Sequence, residues 1–592
     1  MAVLLAVALV VLSACGVSPR QHGGGGDHMV AGGSVSFALP PSATPNWILP
    51  IGVSGYGATY NSAIRNTLYP PLYLFDKTSN GTLGMDEKAS AAQPPVYSPD
   101  GRTVSITLRN LTWSDGKPVT ARDVEFFYNL VKAGKKQWSI YSEGRIPDNV
   151  TGFETTGQRS FRLHLDKKYN QDWFTANQLS RLIPMPQAVW DKTSDNGPVG
   201  DFDRNPKTAE KVFDYLVGQG KQLGKFSTNP LFKVVDGPFA IQDFSTRGQV
   251  TLRRNPHYTG PDPAHLDTVR FQTFTSSAAE YNVLLAGGVD YGYVPTSDLG
   301  QRAKLEGLGY RITPWDGWAV SYIPYNFNNP ALGTVFKQRY VREAIQRSVN
   351  QDGIADVIWR QAATKTYGPV PQGTASKYLS PRQQRNPYPF DPARAKRQLA
   401  QHGWRTGSDG VAYCADPHAC GPGIQKGTRL SMTVLSESGS DETTGMIQEL
   451  KSSLSRIGVD LEISQRPLNS VLAATAQCKP ADPSCGWQLS FFGTQGSWYY
   501  DADPSGERLF GTNGTSNLGS YSNPHADELI AETNESDDQF AMREYSAFLA
   551  EDLPVIWVPN PAYQVSAIDS ALHGVTQDPL ADLYPQRWYW TR

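Results

Sequence analysis

Between Tyr97 and Val131 the chain spells out a turn, a strand, a second turn and a helix, and this run constrains the fold more than any other stretch of similar length. Ser98-Pro99-Asp100-Gly101 sets Pro at the second and Gly at the fourth position of a type I turn, because the Pro ring fixes φ and Gly tolerates the exit geometry. Val104, Ile106 and Leu108 then alternate with Ser105, Thr107 and Arg109, the two-residue period of a half-buried strand. Trp113-Ser114-Asp115-Gly116-Lys117-Pro118 breaks that strand. Thr120, with Asp123 three residues on, makes a carboxylate variant of the capping box, and Val124, Phe127, Tyr128 and Val131 give the following helix one apolar face. Each of these residues is structural, and none is assigned a ligand contact.

The same alternation continues along the 592 residues, a length that can bury a large core and divide into several domains. Gly33 to Pro40 reads as an opening strand. Helical faces follow at Ala278, Tyr281, Leu284 and Leu285, and at Val341, Ala344, Ile345, Ser348 and Val349. Asp391-Pro392 is an N-cap with Pro at the first helical position, ahead of Ala395 and Leu399. Met446, Leu450, Leu454 and Ile457 form another face, stopped by Gly458, after which Val459, Leu461 and Ile463 resume as a strand. Helices interleaved with strands predict an α/β architecture. A formal net charge of −2 offers no basic excess to neutralise phosphates, which argues against a nucleic-acid partner.

Ala2 to Leu12 is an almost unbroken apolar run, too short for a ~20-residue membrane span and close to a signal-peptide core. It ends in Leu12-Ser13-Ala14-Cys15, which resembles a bacterial lipobox, in which Cys15 is acylated and becomes the first residue of the mature protein. Residues 1–15 are then a lipoprotein signal peptide. Residues 16–32, with Gly23 to Gly26 and Gly32-Gly33, are expected to be a flexible tether. The alternative is a buried N-terminal helix. No Lys or Arg precedes the apolar run, so the natural start is expected upstream. The other four cysteines fall into two short-range couples, Cys414 with Cys420 and Cys478 with Cys485, which read as local disulfides in an oxidising exterior. The rival is a metal site built from all four thiols, although neither couple has the usual zinc-ligand spacing.

Read whole, residues 97–131 resemble the most recognisable segment of the family 5 extracellular solute-binding proteins, the oligopeptide and dipeptide receptors of ABC importers. Further stretches resemble the family in matching order: Leu68 to Phe75, Asp236-Gly237-Pro238-Phe239, Val250 to Tyr258, Gly287 to Tyr291, Ser321 to Asn328, Asp391 to Trp404, and Tyr521 to Leu529. The resemblance implies a periplasmic-binding-protein-like type II fold, two α/β lobes joined by a hinge, with an additional inserted domain. On that basis lobe I is expected at 33–72, 231–321 and 556–592, the inserted domain II at 73–230 and lobe III at 322–555, with a candidate hinge at Ser321 to Asn328. It also implies a monomer that presents a bound ligand to membrane permeases powered by separate ATPase subunits, held to the membrane by its lipid alone, with no cofactor, no metal and no catalytic residue.

The segment expected to touch ligand is Trp498-Tyr499-Tyr500-Asp501-Ala502-Asp503-Pro504. Peptide-binding members carry an Asp four residues before this Pro, paired with the ligand's ammonium group. Here that place is Tyr500, and Asp501 sits one residue later. A carboxylate matters there because an ammonium stripped of water is costly unless paired. Asp501 or Asp503 serves if the loop shifts by a residue, and either could equally cap the next turn. Trp315, Trp318, Tyr322, Tyr325, Trp487, Trp557 and Tyr563 stand near the expected lobe junctions, as cleft walls or as core. Ser54-Gly55-Tyr56 is a second candidate contact, since a Gly-flanked loop lets ligand approach backbone.

Enzyme signatures are missing: there is no G-x-S-x-G elbow and no H-E-x-x-H, and the nine His are scattered. Oligopeptides or dipeptides are the expected ligands. The same scaffold binding a sugar, a nickel chelate or haem is the alternative, with a secreted hydrolase or a surface adhesin or sensor behind it.

Overall fold

The computed structural model describes residues 28–77, 83–372, 378–480, 482–492, 498–499, 501–512, 514, 516–536 and 539–592. Cys15 and the expected signal peptide lie outside them, as does Tyr500.

In the 97–131 segment the turn closes as read, with Gly101 N donating to Ser98 O at 2.8 Å and Gly101 at φ +69°. Thr103–Thr107 follows as a strand with Val104 and Ile106 buried. It lies inside a four-stranded antiparallel sheet, between Val96–Tyr97 and Ser160–Leu165, with Val150–Thr155 outermost. Thr120 caps helix Ala121–Ala133: its backbone N and its Oγ1 both donate to Asp123 Oδ2, at 2.8 and 2.9 Å. The helix buries Phe126 and Leu130 as well as its expected face, because helix Pro206–Gly220 covers one side and strand Val150–Thr155 the other.

The opening strand, Ser34–Pro41, is central in a seven-stranded mixed sheet. Thr268–Phe274 and Tyr291–Tyr293 flank it in parallel. Outside them run Val250–Arg254 and Phe239–Phe244 on one side, and Gln564–Asp569 and Tyr310–Trp315 on the other. A strand inside such a sheet is covered on both faces, so the alternation sorts residues between two cores. Val35, Phe37 and Leu39 enter the large core, which continues through the four-stranded domain. Ala38 joins a smaller cluster with Tyr281 and Leu284 of helix Ser277–Leu285. Ser36, on that second face, is satisfied by Asp290, whose Oδ2 accepts from the Ser36 N and Oγ at 2.8 Å each.

A second core is drawn from residues 318–558, although Leu435, Leu468, Val471, Trp487 and Phe492 of that range join the large core. It holds a parallel sheet of Asp460–Arg466, Ser431–Glu437 and Leu489–Phe491, backed by helix Asp441–Ser455. Ala319–Pro324 and Val555–Val558 pair antiparallel, Ser321 opposite Val558, and carry the chain out of and back to the seven-stranded sheet. Cys414–Cys420 and Cys478–Cys485 are both disulfides, which removes the four-thiol metal site. No helix among the described residues is long and apolar enough to cross a membrane.

One expectation is corrected. The tether was read to residue 32, yet Met29–Val30 already pair with Tyr589–Thr591. Gly32 and Gly33, at φ +81° and +91°, form the bend into the first strand, where Gly32 N donates to His265 O and Gly33 N to Asp267 Oδ2.

Candidate functional site

A cavity of about 480 Å³ opens where the three units meet. Residues 47–75, next to the seven-stranded sheet, supply one wall. Residues 136–140 and 176–183 of the four-stranded domain supply the second, residues 472–518 of the third unit the next, and the C-terminal stretch adds Leu580 and Asp582.

The first wall follows from local sequence. Gly55 takes φ +85°, a conformation that L side chains rarely adopt, and this bends the Ser54-Gly55-Tyr56 loop over the cavity. Tyr56 packs its ring 4.7 Å from Trp47, and its carbonyl accepts from Asn61 Nδ2. Helix Thr59–Leu68 starts directly behind, and Ser62, Arg65 and Asn66, three and four residues apart on one helical face, all reach the cavity. A bridge between Val53 and Trp138, with Ser139 N donating to Gly52 O at 3.0 Å, ties this loop to the second wall. Trp47, Tyr73, Trp138 and Phe492 give the lining aromatic surface among many polar groups.

One part of the lining is strongly polar. Arg181 Nη2 is ion-paired with Asp501 Oδ1. Burial first, then the nearby Arg508 and Arg65 charges, pull the Arg181 guanidinium down to about 9 against the opposing pull of Glu507 and Asp582. Arg65 donates through Nε and Nη2 to Asn66 Oδ1, at 3.2 and 3.0 Å. Asn66 Nδ2 in turn donates to Asp582 Oδ1 at 2.8 Å. Burial raises the Asp582 carboxyl to about 6, with Arg65 acting against it. Four cationic side chains, Arg65, Lys136, Arg181 and Arg508, and two carboxylates, Asp501 and Asp582, line one chamber.

The residues singled out from sequence divide into groups. Ser54, Gly55, Tyr56 and Asp501 line the cavity together. Asp503 stands beside it: its backbone N donates to Asn177 Oδ1 at 3.3 Å and its carbonyl accepts from Asn177 Nδ2 at 2.9 Å. Trp498–Tyr499 pair with Val320 and Ala319 at the edge of the crossing strands. Trp318, Tyr322, Tyr325 and Trp557 are buried in the third unit's core and are absent from the cavity lining. Their rings pack against other core side chains, and Trp318 also finds a backbone partner. Trp318 Nε1 donates to Asp501 O at 3.2 Å, so this ring holds the loop that carries Asp501. Tyr322 packs edge-on to Trp557 at 5.9 Å, and Tyr325 lies 5.1 Å from Phe336. The sequence reading missed Arg65, Arg181, Arg508 and the Trp47 and Trp138 walls, which come together from segments far apart in the chain. The Ser62, Arg65, Asn66 spacing behind the Gly-flanked loop was the signal that could have found the first of them.

The family model described as bacterial extracellular solute-binding proteins, family 5 Middle, matches residues 88–517. Protein XP55 of Streptomyces lividans is 25% identical over 521 residues, covering 85% of this chain and 78% of its own. The oligopeptide-binding protein AppA of Bacillus subtilis is 23% identical over 539 residues, 89% of this chain and 87% of AppA. The structure of AppA in complex with a nonapeptide superposes with a TM-score of 0.74 at 18% identity, covering 95% of this chain and all of AppA. A periplasmic EDTA-binding protein, EppA, superposes with a TM-score of 0.72 at 16% identity, over 96% of this chain and 98% of EppA. These likenesses give the type II binding-protein fold, and the family match extends over most of the chain: this protein belongs to the family 5 bacterial extracellular solute-binding proteins.

Proposed function

We propose that this protein captures a short peptide in the cavity between its lobes and delivers it to the permease subunits of an ABC importer. The observation that carries the reading is the chamber itself. About 480 Å³ lies within the range of pockets that enclose a small ligand, and the chamber combines aromatic walls with a few convergent polar groups. Segments of all three units line it, so a solute held there bridges the lobes and favours their closure. The names of AppA and of further relatives, among them oligopeptide-binding OppA of Lactococcus lactis, support a peptide as the solute class. No chemistry on the solute belongs to this reading. The crossing strands Ala319–Pro324 and Val555–Val558 are the proposed hinge, and acylation at Cys15 the proposed anchor.

Calorimetric titration of the soluble protein with defined tri- to pentapeptides tests the reading. Binding at micromolar or lower Kd is expected, and Ser62→Trp, which fills the chamber from the helix face, is expected to weaken it by at least about tenfold without lowering Tm by more than a few degrees. Absence of binding by every peptide, or full affinity in a well-folded Ser62→Trp protein, overturns it.

A further inference from the structure

We infer that the solute is negatively charged, with one of its carboxylates seated on Arg65 at the polar end of the chamber. The inference rests on the chamber being the ligand site and names the chemistry that site selects. Arg65, Lys136, Arg181 and Arg508 outnumber Asp501 and Asp582 in the lining. Glu507, buried behind them and near enough to act on Arg181, leaves the balance positive. Both lining carboxylates are already engaged: Asp501 is matched by Arg181, and Asp582 accepts from Asn66. Asp501 or Asp503 was the candidate to pair with a ligand ammonium if the loop shifts by a residue, with turn capping as the other reading; an ammonium at Asp501 would compete with Arg181 and face the charges of Arg508 and Arg65.

Arg65 is the opposite case. Its Nε and Nη2 donate to the neutral amide oxygen of Asn66, and among the described residues no carboxylate forms an ion pair with it. It stands on the cavity wall at the end of the helix face that carries Ser62. Burial lowers its guanidinium below the usual range, with Asp582 opposing. Arg65 is half-buried, and Asp582, reached through Asn66, is the carboxylate whose charge acts on it; a partly desolvated cation with no direct carboxylate partner gains from one. A carboxylate arriving at the planar guanidinium supplies that partner through charge-assisted hydrogen bonds, in a chamber where electrostatic interactions are stronger than in bulk water. A cationic or amidated ligand would add to the surplus instead.

The test is titration with three tripeptides, Ala-Ala-Glu as the free acid, Ala-Ala-Gln amide and Ala-Ala-Lys amide, together with citrate as a non-peptide polycarboxylate. The acid is expected to bind at least about tenfold tighter than either amide, with the difference shrinking as salt is raised. Arg65→Gln is expected to remove most of that preference and Arg65→Lys to restore part of it. An amide binding as tightly as the acid, or an acid-to-amide ratio unchanged in Arg65→Gln, overturns the inference. The comparison within the wild-type protein stands even where a variant fails to fold. If citrate binds through Arg65 while no peptide binds, the peptide reading falls and the anion inference holds. If all three peptides bind equally and citrate does not, the reverse is true.

Discussion

Residues whose role is local were the easiest to read. Thr120 and Asp123 close the helix start as their spacing demanded, and Asp391 caps the helix at Pro392 by accepting from Arg394 N at 2.8 Å. Capping needs partners two or three positions away, so sequence carries all of its information. Buried charge is different, because its partners come from anywhere in the chain. Glu280 is fully buried against the short strand Tyr291–Tyr293, where Oε1 accepts from Tyr293 N at 3.1 Å and Oε2 has no hydrogen-bond partner. Burial raises its carboxyl from the ordinary 4.5 to about 8, with the Tyr293 hydrogen bond opposing. The folded state therefore binds the extra proton between those values. The stability from this group is complete below pH about 4.5 and is lost as pH rises through about 8. Glu280→Gln, which keeps the acceptor and cannot ionise, is expected to flatten the fall in Tm across that window and to be more stable than the wild type above pH 8, by on the order of 5 kcal/mol. Parallel Tm profiles for the two proteins would show that Glu280 is not the group being titrated.

Elements were legible where periodicity and punctuation agreed, as in the strand-turn-helix of the signature segment and helix Asp441–Ser455 before Gly458. The site was less so. Aromatic residues near the crossing strands were read as cleft walls or core, and the structure places Trp318, Tyr322, Tyr325 and Trp557 in the core, where ring packing holds them and Trp318 also reaches a backbone acceptor. Nothing in a single sequence distinguishes a ring facing a neighbour from one facing a chamber. The structure also displays a seam that sequence could not announce. Trp173 Nε1 and Asn177 Nδ2 of helix Gln171–Asn177 both donate to Ser505 Oγ, at 2.8 and 2.9 Å. Asn177 also exchanges hydrogen bonds with the backbone of Asp503. These bonds hold the loop carrying Asp501 against the four-stranded domain, next to the chamber. Asn177→Ala removes three of them, at roughly 1 kcal/mol each before water replaces them. Ligand Kd is expected to rise about three- to tenfold through faster dissociation, with Tm shifted by only a few degrees. An unchanged dissociation rate in stopped-flow measurements would mean that this seam does not help to hold ligand.

At the scale of the whole molecule, one large core runs through the seven-stranded sheet and the four-stranded domain and takes in Leu435, Leu468, Val471, Trp487 and Phe492, while most of the third unit packs into a second core. Paired strands Ala319–Pro324 and Val555–Val558 connect the two. A unit whose core is largely its own, linked to the rest through paired strands beside a chamber, is expected to move as a body, since packed interiors resist gradual deformation. The chamber is proposed to hold a small solute drawn from the surroundings, a short peptide. Native mass spectrometry of the soluble protein purified from its own host, followed by denaturation and identification of the released mass, tests this most directly. A set of short peptides, enriched in acidic side chains and free C-terminal carboxylates, is expected from the wild-type protein and is lost in Ser62→Trp. Release of one defined non-peptide compound from the wild-type protein, or of the same peptides from a folded Ser62→Trp protein, would contradict it.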